Sequence, residues 1–332
     1  MYDRSRYPSY DEQLAAAKAF IEANDRFLVV AHLNPDGDAL SSTVAVAWLL
    51  EQLGKRYVMI NESKKPDKFN YLWGYERLLS LDSNELQDRF DCVISVDCAD
   101  ESRIGKVREL FAPGAKILNI DHHPTNDGFG EVQLIRHDAA ATVEILYDLA
   151  AAFHFKMSPE LAEAIYSGLL TDTGGFRYAN TTPKVMRIAS QLLETGINGS
   201  SLAERLLEQI TFTHIAVLKQ ALNSLSFAYD HKLSWISVSR EQIALTQATS
   251  EDMDGLIQYP RNIEGVEVAL LFKQTDEQTV KVSFRSNGQV DVAALAKSFG
   301  GGGHVRAAGC TMTGDLAHIT DVVVKEVGQL LR

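Results

Sequence analysis

Four short apolar runs, Phe27–Ala31, Arg56–Ile60, Asp91–Val96 and Lys116–Ile120, punctuate the first half of this chain at spacings too wide for hairpins. Helical patterns fill the gaps: Ala39–Leu53, ended by Gly54, and a helix-like Arg103–Phe111 followed by a Pro-Gly turn at 113–114. Parallel strands need long crossovers, usually helical, so this alternation predicts an α/β fold with a parallel sheet and helices on both faces. Further helical patterns cover Ala139–Phe153 and Pro159–Leu170.

From Pro183 to about Phe227 the chain reads as nearly all helix, interrupted at Gly196-Ile197-Asn198-Gly199. Beyond it, Leu233–Val238, Val266–Phe272 and Val280–Arg285 read as strands, and Asp291–Phe299 and Leu316–Leu331 as helices. A chain of 332 residues exceeds one ordinary core. The expected organisation is a parallel-sheet domain over 1–195, a helical linker over 196–230 and a smaller mixed α/β domain over 231–332. The active site is expected in the cleft between the two domains.

No apolar run is long enough for a bilayer, and MYDRSRYPSYDEQ has no apolar stretch behind its charges, so neither a membrane nor a secretory signal is expected. Cys92, Cys98 and Cys310 form no C-x-x-C pair, which fits a reducing, cytoplasmic compartment. A formal net charge of -12 repels a long phosphodiester backbone, so no stable complex with long nucleic acid is expected. A small anion held locally by metals and a few arginines remains compatible with it.

The polar residues that carry chemistry follow the apolar runs. FLVVAHLNPDGDAL places His32, Asp36 and Asp38 just past the first strand, where parallel sheets bind ligands. The alternative for this segment is an ordinary turn with Asp38 as a helix N-cap. DCVISVDCAD ends the third strand with Asp97, and KILNI runs into Asp121-His122-His123-Pro124. Carboxylates and imidazoles without thiolates suit Mn²⁺ and related ions better than a structural zinc site. Asp172, in GLLTDTGGFRYANT, reads either as a further ligand or as an ordinary helix end.

Together AHLNPDGDALSS, SVDCAD, DHH and TDTGGF resemble, in order and spacing, the four motifs of the DHH phosphoesterase superfamily. FGGGGHVRAAG resembles the glycine-rich signature of the DHH-associated C-terminal domain, and Ser41 stands where the family often has Gly. The whole chain resembles the bacterial oligoribonuclease and pAp phosphatase (nanoRNase-like) branch. The resemblance implies one metal held by His32, Asp36 and Asp97 and another by Asp38, Asp97, His122 and Asp172, with Asp97 bridging and Asp121 orienting. His123 would face substrate phosphate, with a possible part in protonating the leaving group; a buried structural histidine is its alternative. Asp97, Asp121 and His123 are thus the expected catalytic residues. Two Mn²⁺ ions, or Mg²⁺ or Co²⁺, are the expected cofactors.

Substrate contacts are expected from Gly301, Gly302, Gly303 and His304, with Gly300 and Arg306 flanking them, from Arg285 with Ser286 beside it, and from Arg103. Either arginine would also fit as a plain surface charge. The expected reactions are hydrolysis of two- to four-nucleotide RNA to mononucleotides and conversion of pAp to AMP. A homodimer is compatible with this reading. Alternatives are a cyclic di-AMP phosphodiesterase, a manganese pyrophosphatase and a non-catalytic nucleotide-binding module. The pyrophosphatase is disfavoured by GGGGH, and the binding module by the full set of six ligand positions.

Overall fold

A computed structural model of the chain describes residues 8–81 and 88–331. Residues 1–7, part of the segment expected to lack a secretory signal, lie outside the described residues. Two compact units result, Met1–Gln209 and Ile210–Arg332. Among the described residues no helix is long and apolar enough to cross a membrane.

The first unit runs α1 (Tyr10–Ala23), β1 (Arg26–Val30), α2 (Gly37–Gln52), β2 (Arg56–Asn61), β3 (Leu79–Ser80), β4 (Phe90–Val96), β5 (Phe111–Asp121), β6 (Val132–Ile135), α3 (Thr142–Ala152), α4 (Pro159–Asp172), α5 (Pro183–Leu193) and α6 (Gly199–Ala203). All six strands are parallel, in the order β3-β2-β1-β4-β5-β6. Alternation along each strand divides the core. Val29, Ile94, Val96, Leu118 and Ile120 pack with the α-helices on one face. Leu28, Val30 and Val93 pack on the other face with Ile104, Val107 and Leu110. These last three come from Glu101–Leu110, a 3-10 segment kinked at Gly105 rather than an α-helix.

Helix starts follow local chemistry. Ser9 caps α1 in a reciprocal box with Glu12, and Ser158 caps α4 with Pro159 in its first turn, where a missing N–H costs nothing. The Pro-Gly pair at 113–114 is not a turn before a strand. It lies inside β5, where the pairing with β4 shifts register and Gly114 takes φ +77°.

The second unit contains α7 (Phe212–Asn223), β7 (Ser226–Ala228), β8 (Leu233–Val238), α8 (Arg240–Thr246), α9 (Gln258–Arg261), β9 (Val268–Asp276), β10 (Thr279–Ser286), α10 (Val292–Ser298), β11 (Gly302–His304), β12 (Ala307–Thr313) and α11 (Leu316–Leu330). Its sheet has the order β11-β12-β10-β9-β8-β7 and is mixed, since only β8 and β9 run parallel. One face packs Phe272, Val282, Phe284 and Cys310 against α10 and α11. On the opposite face Ile236, Val238, Ala269 and Leu271 of β8 and β9 meet Val217 and Ala221 of α7.

Candidate metal centre

The strand order of the first unit reverses between β1 and β4, and a ligand crevice opens beyond the carboxyl ends of strands at such a point. His32 follows β1 by two residues and Asp97 immediately follows β4. Asp121 ends β5 and is followed by His122 and His123. The N-cap of α2 is Asp36, not Asp38: its carboxylate accepts the N–H groups of Asp38 and Ala39, each at 3.1 Å. Asp38 sits in the first turn and is fully buried. Asp97 adopts a left-handed backbone, φ +55°, a conformation that costs Asp less than most residues, and its N–H reaches Ile120 O at 2.9 Å. Asp172 is the last residue of α4, and the left-handed Gly174 and Gly175 turn the chain away after it.

These side chains converge. His32 Nε2 lies 3.9 Å from Asp36 Oδ2 and 3.6 Å from Asp97 Oδ2. His122 Nε2 lies 3.6 Å from the other Asp97 oxygen, Oδ1, 3.4 Å from Asp172 Oδ2 and 3.9 Å from Asp38 Oδ2. Asp97 therefore offers one carboxylate oxygen to each imidazole. The second nitrogens are occupied: His32 Nδ1 is 2.7 Å from Leu33 O, and His122 Nδ1 is 3.2 Å from Ala139 O. A ring that donates from Nδ1 to a carbonyl keeps a lone pair on Nε2, the arrangement a metal ligand needs. Donor atoms cluster within 4.8 Å in three sets: His32, Asp36 and Asp97; Asp38, His122 and Asp172; and Asp97, His122 and His123. In His123, however, Nδ1 is 2.8 Å from Asp121 Oδ1, while Asn126 Nδ2 donates to Asp121 Oδ2 at 2.6 Å.

Electrostatics point the same way. Burial and the neighbouring charges of Asp97, Asp172 and Asp36 push the Asp38 carboxyl well above its ordinary range. Burial and the charges of Asp97 and Asp36 do the same to Asp172. Burial would also raise Asp97, but the imidazoles of His32, His122 and His123 outweigh it and hold that carboxyl low. Burial works to lower the His32 imidazole, yet Asp97 and Asp36 raise it. No Lys or Arg forms an ion pair with these acids among the described residues. Buried carboxylates without fixed cations, joined by imidazoles of the right tautomer, form an acidic and histidine cluster that could bind metal. Cys98 is no donor to it, because burial pushes its thiol up to about 12 and its Sγ lies 3.1 Å from Asp100 O.

The remaining predicted residues are placed as follows. The Arg103 carbonyl accepts the Leu33 N–H at 2.7 Å, and its charge acts on His123. Arg285 lies near the end of β10 and donates to Phe284 O at 2.9 Å. Ser286 is buried, with its hydroxyl donating to Glu267 Oε1 at 3.1 Å and accepting the Gly288 N–H at 3.0 Å. Gly302, Gly303 and His304 form the exposed strand β11. A Cβ on Gly301 would fall 2.2 Å from Gly309 O, so only glycine allows that approach.

Three supporting residues escaped the sequence reading. Thr142 Oγ1 donates to Asp97 Oδ1 at 2.9 Å. Asn126 holds Asp121, as above. Asn180 Nδ2 donates at 3.1 Å to both Asp172 O and Ala140 O. Only Asn126, five residues after Asp121, stands close enough in sequence to have been suspected.

Residues 26–169 match the DHH family, N-terminal domain, and residues 241–331 match the DHHA1 domain. The chain is 33% identical to the bifunctional oligoribonuclease and PAP phosphatase NrnA of Thermus thermophilus, over 98% of this chain and 96% of that one. It is 27% identical to the protein of the same name from Bacillus subtilis, over 88% and 91%. The fold is similar to that of an exopolyphosphatase-related protein from Bacteroides fragilis, with a TM-score of 0.87 at 24% identity, covering 97% of this chain and 96% of that one.

Proposed function

Because the chain belongs to the DHH family, we propose that it is a metal-dependent phosphoesterase that hydrolyses RNA of two to four nucleotides to mononucleotides and converts pAp to AMP. The observation that carries this reading is the division of the Asp97 carboxylate between His32 and His122. Each oxygen serves a different donor set, as a bridging ligand requires.

In this reading His32, Asp36 and Asp97 hold one divalent ion, and Asp38, Asp97, His122 and Asp172 hold the other. Mn²⁺ fits the oxygen and imidazole donors. Two such ions supply Lewis acidity toward phosphoryl oxygens and lower the pKa of an attacking water. Asp121, itself fixed by Asn126, orients His123 through Nδ1. His123 can then use Nε2 to bind a non-bridging phosphate oxygen and to deliver a proton to the leaving group. Gly301, Gly302, Gly303, His304 and Arg285 of the second unit are the proposed nucleotide-binding residues, through backbone N–H groups and a guanidinium. The absence of a membrane-spanning helix among the described residues and the three unpaired cysteines support a cytoplasmic location.

The deciding experiment follows products from 5′-labelled dinucleotides, longer RNA and pAp with added Mn²⁺, with cyclic di-AMP and pyrophosphate alongside. Mononucleotides and AMP should accumulate with wild type and fail to do so with Asp97→Ala. Equal turnover by the two proteins would overturn the catalytic assignment, and preferential turnover of cyclic di-AMP or pyrophosphate would overturn the substrate.

A further inference from the structure

The glycine-rich arm of the second unit ends in a two-residue turn, Val305-Arg306, that joins β11 to β12. That turn is tied down by its carbonyls. Val305 O accepts the N–H of Val292, the first residue of α10, at 2.9 Å. Arg306 O accepts the N–H of Ser286, the last residue of β10, at 3.1 Å. Both donors flank one loop, residues 287–291. Its Gly288 has φ +138°, a conformation that L side chains rarely adopt, and a Cβ there would fall 3.2 Å from Arg306 Nη2. The exposed Arg306 guanidinium therefore rests against loop backbone, and it makes no ion pair among the described residues.

The loop in turn is fastened by one oxygen atom. Glu267 Oε1 accepts the Gln289 N–H at 2.7 Å, the Val290 N–H at 3.0 Å and the Ser286 hydroxyl at 3.1 Å. Ser286 Oγ passes the tie on by accepting the Gly288 N–H at 3.0 Å. The backbone adds to it: Glu267 O accepts the Asn287 N–H at 2.8 Å, and the Asn287 amide donates to Val266 O at 2.7 Å. Convergent N–H and O–H donors of this kind suit an anion, and here the protein's own carboxylate takes that place. The loop donors are thereby used up in holding the loop, which leaves Arg306 as the group it presents.

We propose that Glu267 is a positioning residue for nucleotide binding by the second unit: it fastens the loop that seats Arg306, and so holds that guanidinium ready for a nucleotide phosphate. This rests on the functional reading above, in which the glycine-rich arm binds nucleotide, and adds Glu267 and Arg306 to it. A guanidinium fixed in place before the ligand arrives loses less freedom on binding than one on a loose turn. Glu267 acts by reach rather than by charge, because a single oxygen accepts all three bonds.

Isothermal titration of the full chain with pAp in chelator provides the test, since chelator keeps divalent ions out of the comparison. Glu267→Gln retains the accepting oxygen and should bind pAp as wild type does. Glu267→Asp retains the charge but withdraws the oxygen by one methylene, and should weaken binding about tenfold, as a misplacement of about 1 Å can. Arg306→Gln should weaken binding about fivefold through the lost charged donor. Glu264→Gln, exposed and three residues before Glu267, should change nothing. Wild-type affinity in either Glu267→Asp or Arg306→Gln, or equal losses in Glu267→Asp and Glu267→Gln, would overturn the proposal and leave the functional reading standing. Wild type that binds no pAp would instead sink the nucleotide-binding reading, and the proposal with it. Urea melts identify a Glu267→Asp chain that fails to fold. Arg306→Gln, altered only at an exposed turn, then decides alone: weaker binding supports the seat, and unchanged binding removes it.

Discussion

The backbone N–H of Thr142 lies 2.6 Å from Asp38 Oδ2, so a carboxylate from a residue 104 positions earlier caps helix α3. The Val143 N–H adds a second bond, 3.1 Å to Asp38 Oδ1. Ala141, the N-cap of α3, supplies no side chain for this purpose. The helix end thereby offsets part of the cost of burying Asp38, because its unpaired donors and dipole favour negative charge.

The Thr142 hydroxyl extends this arrangement to Asp97. Thr142→Val keeps the backbone cap and the side-chain volume but removes the donor to the Asp97 carboxylate. Mn²⁺ affinity should fall about 10- to 100-fold with the fold intact. Electron paramagnetic resonance of free Mn²⁺ measures this directly, and an unchanged affinity would show that the hydroxyl positions nothing.

Divalent ions held by this cluster would be paired with the carboxylates of Asp38, Asp97 and Asp172 and should stabilise the protein strongly. At a hundredfold excess over Kd each site contributes about 2.7 kcal/mol. Tm should therefore rise by about 5–10 °C per site in a unit of this size. Thermal melts in chelator and in Mn²⁺ give the comparison; Asp97→Asn should lose most of the increment, and an equal increment in both proteins would place the ions elsewhere.

Gly168 of α4 packs against the same corner. A Cβ there would fall 2.7 Å from Val143 Cγ2 and 2.9 Å from Asp38 Oδ1. Gly168→Ala should destabilise the first unit by about 1–3 kcal/mol through overpacking and should displace Asp38. Urea denaturation together with Mn²⁺ titration separates the effects. A stable variant of normal affinity would mean that the corner yields freely.

A buried ionic network braces the loop behind His122. Arg136 pairs with Glu144 and, at 2.8 Å, with Asp148, while Glu144 Oε2 accepts the Ala140 N–H at 2.8 Å. Lys184 and Tyr10 complete the acid partners at Asp148, at 2.7 and 2.9 Å. Arg136→Met leaves buried Glu144 with Lys184, 3.6 Å away, as its remaining cation and should cost about 3 kcal/mol. Adding Glu144→Gln should cost less than the sum of the two single changes, as contacting residues do. Strict additivity in urea melts would show that the pair does not couple.

The strand-end donors were legible because a parallel sheet must deliver whatever follows its apolar runs to one edge. That logic located His32, Asp97 and Asp121-His122-His123 at the crevice, and Asp36 and Asp38 beside them. It did not distinguish the cap from the buried acid, since Asp36 and Asp38 differ only by which amides their carboxylates meet in the folded turn. Asp172 ends a helix, so no periodicity marks it, and mainly the resemblance suggested it. Thr142 acts on Asp97 across 45 positions, and Asn180 ties Asp172 to Ala140, 40 positions before itself, which composition and spacing do not encode. Strands β11 and β12 were missed for a different reason: Gly302–His304 and Ala307–Cys310 are too rich in small residues to show an apolar alternation.

The donors also occur in a definite order along the chain. His32, Asp36 and Asp97 precede the fifth strand, whereas His122 and Asp172 come after or beyond it. During synthesis the first set is complete when β4 has left the ribosome, and the second only when α4 has followed. The full donor set is therefore complete only late, after the helical face is built. A chain cut before α4 would hold the His32, Asp36 and Asp97 set but lack Asp172.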